Sequence, residues 1–386
     1  MMWRPILVFL AVAAVVGFIL GFKLGSLTPG ASAPEQQYVS SLTSGKLLLK
    51  DPVYIVHKLP MYMLYKLNIH SLAAFRAVSA VFATLAVVSC FFILREWYTD
   101  RVALLGSWLF LSSAWILHIG RLATPEASFL LMMPLLWIAV WLYNTTLRKS
   151  ALLLLSFGSA LAFYIPGFGW LLLTVGIWKR RLLWKELKHV PWWFISLCVL
   201  IIITTLIPLI LASIHDRDIL LRATGLPDRL PHIKNIAENL LNIPGYLFYK
   251  GPEDAIKWLG RLPLLDAFSA AMFILGVYSM RYHFKLTRIQ LLAGSSIILA
   301  LLIAIGGSVT ITAVIPVVYI LAAGGVAFML QQWLVVFPRN PVARTIATTL
   351  MSISILFVSF YHVNHYFIAW PQTPATKAVF DQSLLK

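Results

Sequence analysis

Long apolar runs separated by short polar connections dominate the pattern along the chain. The first run follows Arg4 and ends at Leu20, and we interpret it as a retained anchor because it exceeds the core of a signal peptide. Further apolar runs occupy 70–94, 102–118, 127–143, 191–212, 265–280, 289–306, 309–332 and 345–362. The stretch 151–178 is interrupted at 164–169 by Pro and Gly, which predicts two short helices there. The pattern predicts an all-α polytopic membrane protein with about 11 transmembrane helices.

Composition excludes a water-soluble globule and a disordered chain. Of the 386 residues, 60% are hydrophobic and 12% are charged, whereas soluble domains carry about 25% charged residues and disorder requires low hydrophobicity. Cys90 and Cys198 both fall in apolar runs, which favours buried thiols over a disulfide or a metal framework.

The distribution of the net charge of +17 predicts the orientation. Fifteen of the 31 Lys and Arg fall in short connections on one side, and the positive-inside rule assigns that side to the cytoplasm. The other side receives the loops 21–68, 118–126 and 214–263, the tail 363–386, and 11 of the 14 acids. We therefore expect one transmembrane domain over 1–362 and a short extracytoplasmic tail over 363–386.

Two outer segments are amphipathic. The stretch 47–67 mixes apolar residues with lysines, and 231–243 places three apolar residues on one helical stripe. We expect interfacial helices there, with membrane lipid as a partner. Thr373-Pro374 predicts a further helix start in the tail, because Pro is favoured at the first helical position.

Two acids in the outer loops are candidates for chemistry. Glu35 could take a proton from an acceptor hydroxyl at the membrane surface, and the alternative is a solvated loop glutamate. Glu126 follows Thr124 and Pro125, so it also suits a helix N-terminus, where a negative charge is stabilising. Arg121 in the same turn could bind an anionic group or snorkel to the interface.

Basic residues and histidines are the remaining candidates. Lys58 and Arg222 belong to a group of outer cations that could bind a lipid-linked phosphate or ordinary anionic lipid. His57, His215 and His232 also fall on this side without the one-turn spacing of a helical metal motif, so a divalent metal bound by them would require long-range contacts.

The order of these features resembles the GT-C membrane glycosyltransferases, particularly the protein mannosyltransferase and aminoarabinose transferase group. Pro34-Glu35-Gln36-Gln37-Tyr38 stands where that group usually shows Asp-Glu-x-x-Tyr, so Pro34 replaces the first acid. His57-Lys58-Leu59-Pro60-Met61-Tyr62 is similar to its Lys-Pro-Pro-Leu-Tyr or Glu-Lys-Pro stretch. Arg121 through Glu126 is similar to its Arg-x-x-x-x-Asp turn, with Glu in place of Asp, and Tyr366 through Pro371 is similar to the aromatic ending of some bacterial members.

This resemblance implies inverting transfer of a sugar from a polyprenyl-phosphate-linked donor to a lipid, glycan or protein acceptor outside the cytoplasm. It implies Glu35 as the base and Glu126 as the supporting acid. Lys58 and Arg121 would stabilise the departing phosphate, and we expect Arg222 to join them. Tyr38 and Tyr62, within the matching motifs, are expected to contact substrate. His57 stands where a glutamate helps to hold a metal, with His215 or His232 as further ligands.

Two alternatives belong to other classes. A transporter or lipid flippase would show internal repeats and charges near the membrane midplane, whereas Arg76 is the one cation within a predicted span and lies near its outer end. The other alternative is a non-catalytic partner in an envelope assembly. We expect a bacterial inner membrane location with the site facing outward, and no nucleic-acid partner.

Overall fold

The computed structural model describes residues 3–144, 148–252 and 259–382. These residues are mainly helical, and their β pairing is an isolated bridge between Ala31 and Gln382. Parts of the predicted loop 214–263 and tail 363–386, namely 253–258 and 383–386, lie outside the described residues.

Ten α-helices lie between residues 3 and 178 of the described chain. Their bounds are α1 Trp3–Gly21, α2 Ala33–Ser40, α3 Gly45–Lys50, α4 Ile55–Lys66, α5 Leu72–Trp97, α6 Asp100–Ser112, α7 Ala114–Ile119, α8 Met132–Asn144, α9 Arg148–Ala162 and α10 Phe168–Trp178. A 3-10 helix over Pro125–Leu131 leads directly into α8.

The second half continues in the same way. Its helices are α11 Arg180–Leu187, α12 Trp192–His215, α13 Arg217–Thr224, α14 Ile233–Phe248, α15 Ala267–Met280, α16 Thr287–Ile305, α17 Ile315–Val336, α18 Pro341–Asn364, α19 Trp370–Gln372 and α20 Pro374–Val379. Short 3-10 turns cover Arg281–His283 and Ile311–Val314, and a π-helical turn covers His365–Ala369.

Six of the described helical segments are long and apolar enough to cross a membrane: Leu72–Trp97, Pro125–Leu142, Trp192–His215, Thr287–Ile305, Ile311–Val336 and Pro341–Gln372. Shorter apolar helices lie at Leu10–Gly21, Lys149–Ala162 and Phe168–Trp178. The chain is thus a polytopic all-α membrane protein, as predicted. The predicted span 102–118 is divided into α6 and α7, because Ser113 has an extended ψ of 130°.

Contacts between connections define two ends of the bundle. At one end, which we call the loop-rich end, the Tyr54 N–H donates to Tyr164 O at 2.8 Å and the Gly167 N–H to Ala223 O at 3.2 Å. Ala31 pairs there with Gln382. The segments predicted on the outer side therefore do meet each other.

The opposite end gathers the segments predicted on the basic side. Arg95 pairs with Asp100 at 2.8 Å, Arg288 donates to Trp97 O at 3.2 Å, and Lys179 donates to a neighbouring helix. The helices therefore alternate between two separate sets of connections, which is the arrangement that the charge pattern predicts.

The core lies around α5 and α17, and one close helix contact fixes it. A Cβ on Gly276 of α15 would lie 1.9 Å from Leu321 O of α17, and a Cβ on Gly325 would lie 1.8 Å from Met272 O. Only glycine permits this backbone approach. The first twelve residues of α17, Ile315–Val326, are all buried.

Three local predictions are confirmed. The break at 164–169 separates α9 from α10, with Gly167 at φ +78°. The predicted amphipathic segments 47–67 and 231–243 overlap the helices α3, α4 and α14, of which α3 begins at Gly45 and α14 ends at Phe248. Thr373 begins α20 by accepting a hydrogen bond from the Thr376 N–H.

Candidate functional site

Glu35 lies at the start of α2, and its carboxylate is fully enclosed. Ser32 precedes α2 as its N-cap, and both its N–H and its hydroxyl donate to Glu35 Oε2, at 2.9 and 3.1 Å. Arg76 of α5 donates to both carboxylate oxygens at 2.9 and 3.0 Å, and the Ala123 N–H donates to Oε1 at 2.8 Å. Glu35 is 0% exposed.

This environment determines the charge of Glu35. Burial raises the pKa of the carboxyl, but the hydrogen bonds and charge of Arg76, with the Ser32 and Ala123 amides, lower it more, so the net pKa lies below the ordinary value. Glu35 is therefore an ionised anchor whose oxygens are already occupied. Its role as the base stays a prediction, and this geometry does not present it to an acceptor.

The turn from Arg121 to Glu126 is held against α1. The Arg121 guanidinium donates to the carbonyls of Ile19, Leu20 and Phe22 at 3.2, 2.7 and 2.6 Å, so it satisfies the open C-terminal end of α1. Arg121 is 2% exposed and lies outside both cavities described below. Its geometry supports a structural role and does not favour phosphate binding.

A cavity of about 340 Å³ opens beside this turn. Glu126 and Thr124 line one wall, Trp115 and His118 of α7 line another, and Pro34 contributes from the first loop. The remaining lining is largely hydroxyl-bearing and apolar: Tyr54, Ile119, Leu122, Pro125, Ser308, Thr310, Ile311 and Thr312. Glu126 is thus the one predicted acid that faces this cavity.

A second cavity of about 210 Å³ contains two of the three predicted phosphate-binding cations, Lys58 and Arg222. Lys58 Nζ lies 3.0 Å from Asp51 Oδ2, and Arg222 Nη1 lies 3.2 Å from the same oxygen. Lys58 also donates to Asp51 O at 2.8 Å. Burial lowers the pKa of Lys58, and the charge of Asp51 opposes that effect. Two cations from distant segments therefore share one carboxylate, and Lys50 and Asp216 complete the charged lining.

Tyr54 lies in the wall of the larger cavity, near the charged groups of the smaller one. Its backbone has a φ of +61°, which is uncommon for a residue with a side chain. Burial raises the pKa of its phenol, the charge of Glu126 raises it further, Arg222 lowers it, and Asp51 raises it. The phenol therefore lies near both the Glu126 carboxylate and the Asp51–Arg222 pair. Ser308, which lines the larger cavity, donates to Arg222 O at 2.7 Å.

His57 takes part in a buried hydrogen-bond chain. Ser79 Oγ donates to Leu122 O, so it accepts from His57 Nε2 at 2.9 Å. His57 Nδ1 then accepts from the Tyr38 hydroxyl at 3.1 Å. Burial lowers the pKa of His57 to about 3, so the ring is neutral and carries its proton on Nε2.

The predicted metal ligands do not fit a shared metal site. Both ring nitrogens of His57 have hydrogen-bond partners, His215 is exposed and directs Nδ1 to Leu211 O, and His232 is exposed before α14. Across residues 3–144, 148–252 and 259–382, no group of three His, Cys, Asp or Glu side chains is placed to bind a metal ion. We assign no step to a metal.

Tyr38 and Tyr62 pack in a small apolar cluster at the loop-rich end and line neither cavity. Tyr62 lies against Gly45 of α3, with Lys66 above its ring at 5.6 Å. Their predicted contact with substrate stays a prediction, and the structure shows them joining α2, α3 and α4.

Several residues of the site could not be predicted from the sequence. Asp51, Tyr54, Ser79 and the 308–312 turn carry no recognisable motif, and their importance follows from contacts between segments distant in the chain. Arg76 was noticed as a charge within a span, which is the signal that could have predicted a buried partner.

Comparison with known proteins gives the fold. No protein-family profile matches the chain, and no curated protein matches it. ArnT from Cupriavidus metallidurans bound to undecaprenyl phosphate superposes with a TM-score of 0.58 and 15% identity, over 100% of this chain and 78% of ArnT. Its apo state gives a TM-score of 0.59 and 14% identity, over 98% and 77%. The resemblance to the GT-C group, to which ArnT belongs, is confirmed for the fold.

Proposed function

We propose that this protein is a GT-C-type glycosyltransferase that moves a sugar from a polyprenyl-phosphate-linked donor to an acceptor hydroxyl. One observation carries the proposal: Ser308, which lines the cavity containing Glu126, donates a hydrogen bond to Arg222 O, and the Lys58–Arg222 cation pair lines a second cavity. Both open at the loop-rich end of a bundle that has the fold of ArnT. The charge pattern favours the extracytoplasmic face for this end.

The smaller cavity suits the phosphate of the donor. Lys58 and Arg222 both lie within 3.2 Å of one Asp51 oxygen, so their positive ends already converge on a single anionic oxygen. A phosphate oxygen can take that place, and the two cations would stabilise the charge that develops when the phosphate leaves. Lys50 adds a third cation at the rim.

The larger cavity suits the sugar and the acceptor. Its hydroxyl groups and the ring of Trp115 can contact a polyhydroxylated ring, and Glu126 is the carboxylate in its wall. In the proposed step, Glu126 takes the proton of the acceptor hydroxyl and the acceptor oxygen attacks the anomeric carbon. The bond from that carbon to the phosphate oxygen breaks, and polyprenyl phosphate leaves with the electron pair. Attack opposite to the leaving group inverts the anomeric centre.

A turnover assay tests this proposal. The purified protein in lipid nanodiscs is incubated with undecaprenyl-phosphate-linked hexoses and pentoses and a membrane lipid extract as acceptor, and released undecaprenyl phosphate is quantified by mass spectrometry. We expect release by the wild type and at least a 100-fold loss in Glu126→Gln, with binding of undecaprenyl phosphate retained.

Glu238→Gln is the matched control, because Glu238 lies exposed on α14, away from both cavities. It should turn over like the wild type. Full turnover by Glu126→Gln would exclude Glu126 as the base. Absence of undecaprenyl phosphate binding by the wild type would contradict the proposed donor class.

A further inference from the structure

We infer that Arg76 is a positioning residue that aligns Glu126 for the transfer, acting through Glu35 and one peptide group of the Arg121–Glu126 turn. This inference rests on the proposed function. Arg76 does not touch either cavity. Its guanidinium contacts Glu35, and Glu35 in turn contacts the turn that carries Glu126.

Arg76, Glu35 and Ser79, which we call the clamp, hold one peptide group by both of its polar atoms. The Leu122–Ala123 peptide group contributes the Leu122 carbonyl and the Ala123 N–H. The carbonyl accepts from Ser79 of α5, and the N–H donates to Glu35 at 2.8 Å. Arg76 and Ser79 lie three residues apart on α5, hence on one helix face. The same helix therefore fixes this plane from two sides.

The orientation of that plane determines where Glu126 points. Leu122, Thr124 and Pro125 line the larger cavity together with Glu126, so the turn forms a continuous part of its wall. Pro125 begins the 3-10 helix three residues after the clamped carbonyl. A rotation of the peptide plane would displace the start of this helix and, with it, the Glu126 carboxylate.

Arg76 also holds the first loop. It donates to Leu24 O at 3.3 Å, to Thr28 Oγ1 at 3.0 Å and to Gly30 O at 3.2 Å. Pro34, next to Glu35, also lines the larger cavity. One guanidinium thus sets the separation between the first loop and the turn.

An aromatic residue of the tail packs against the guanidinium of Arg76. The Phe380 ring lies 5.9 Å from the Arg76 guanidinium carbon and is 0% exposed, and the neighbouring Ala31–Gln382 bridge attaches the tail to the first loop. A buried ion pair is often no more stabilising than apolar side chains of the same volume, because both charges must be desolvated. Its placement behind the wall of the cavity fits a role in orientation.

Hydrogen–deuterium exchange combined with turnover tests the inference on the full-length protein in nanodiscs. In Arg76→Met and Glu35→Gln we expect at least tenfold faster exchange of a peptide fragment over 118–128. Arg76→Met removes the anchor of the Glu35 carboxylate, and Glu35→Gln leaves one neutral amide oxygen for donors that now share two charged oxygens. We also expect at least a tenfold fall in kcat with an unchanged KM for the donor. Binding of undecaprenyl phosphate should stay within twofold of the wild type.

Two further variants keep the test decisive. Arg95→Met removes an exposed arginine from the other end of α5 and should change neither exchange at 118–128 nor turnover. Ser79→Ala removes the neutral hydroxyl that donates to the carbonyl of the same peptide group. This variant replaces Arg76→Met if that protein does not fold. It should also speed exchange and lower kcat.

The outcomes separate this inference from the proposed function. Unchanged exchange at 118–128, or faster exchange with unchanged kcat, overturns the positioning role. A wild type that binds no undecaprenyl phosphate and releases none from any donor overturns the proposed function, and the positioning role falls with it. A wild type that turns over while Arg76→Met and Ser79→Ala turn over normally overturns only the inference.

Discussion

Replacing Arg76 by methionine should destabilise the protein strongly, with a characteristic pH dependence. Arg76 and Glu35 are 2% and 0% exposed, so removing the cation leaves a buried carboxylate without its partner. Breaking a buried pair from one side costs about 3–5 kcal/mol. Arg95→Met should cost less than about 1 kcal/mol, because Arg95 and Asp100 are 43% and 77% exposed.

The pH dependence follows from the pKa of Glu35. In the wild type this pKa is lowered, so the stability it contributes is present above the unfolded value of 4.5 and is lost as the pH falls through the folded value. In Arg76→Met we expect burial to outweigh the remaining hydrogen bonds from Ser32 and Ala123, so that the folded pKa of Glu35 lies above its ordinary value. The variant should therefore lose stability as the pH rises through that window, and its difference from the wild type should grow from pH 5 to pH 8.

Thermal unfolding of the detergent-purified proteins at a fixed scan rate measures this effect. We expect Arg76→Met to unfold several degrees below the wild type at pH 8, with a smaller difference at pH 5. The double variant Arg76→Met with Glu35→Gln should recover part of the loss, because no uncompensated charge remains. An unfolding temperature of Arg76→Met equal to that of Arg95→Met at pH 8, or strict additivity in the double variant, would refute the reasoning.

Three further predictions concern the charged cavity and its surroundings. Lys58→Ala should weaken binding of undecaprenyl phosphate at least tenfold by native mass spectrometry, and Arg222→Ala should weaken it less because its side chain is 47% exposed; equal affinity in Lys58→Ala would exclude the phosphate role. Asp51→Asn should tighten binding in the same measurement, because the phosphate no longer competes with a carboxylate for two cations; weaker binding would indicate that Asp51 orients them. Tyr38→Phe should lower the free energy of unfolding by about 1 kcal/mol, because the hydrogen bond to His57 is lost. The pH dependence of this stability between pH 5 and pH 8 should not change, because His57 is neutral throughout that range. A new pH-dependent transition in thermal unfolding would contradict the neutral ring.

Much of the bundle could be predicted because bilayer constraints act locally. Apolar runs, the Pro-Gly interruption at 164–169 and the asymmetry of the cations report directly on helices and connections. The Thr373-Pro374 helix start is also encoded within one turn of sequence.

The site could be predicted only in part, because its geometry depends on contacts between distant segments. Lys58 and Arg222 were grouped by charge, and they do converge, although nothing in the sequence identified Asp51 between them. Glu35 was a candidate catalytic acid by its motif, but its carboxylate is paired with Arg76, which lies 41 positions away in the chain. Arg121 is occupied by carbonyls about one hundred residues earlier. These partners lie far apart in the sequence, so they can be identified only from the folded structure.

The most direct test of the account is a structure of the protein in nanodiscs with bound undecaprenyl phosphate. We expect the phosphate within hydrogen-bond distance of Lys58 and Arg222, the first isoprenoid units between the helices of the loop-rich end, and Glu126 across Tyr54 from the phosphate. A phosphate bound at the opposite end, near Lys179 or Arg288, would contradict the account.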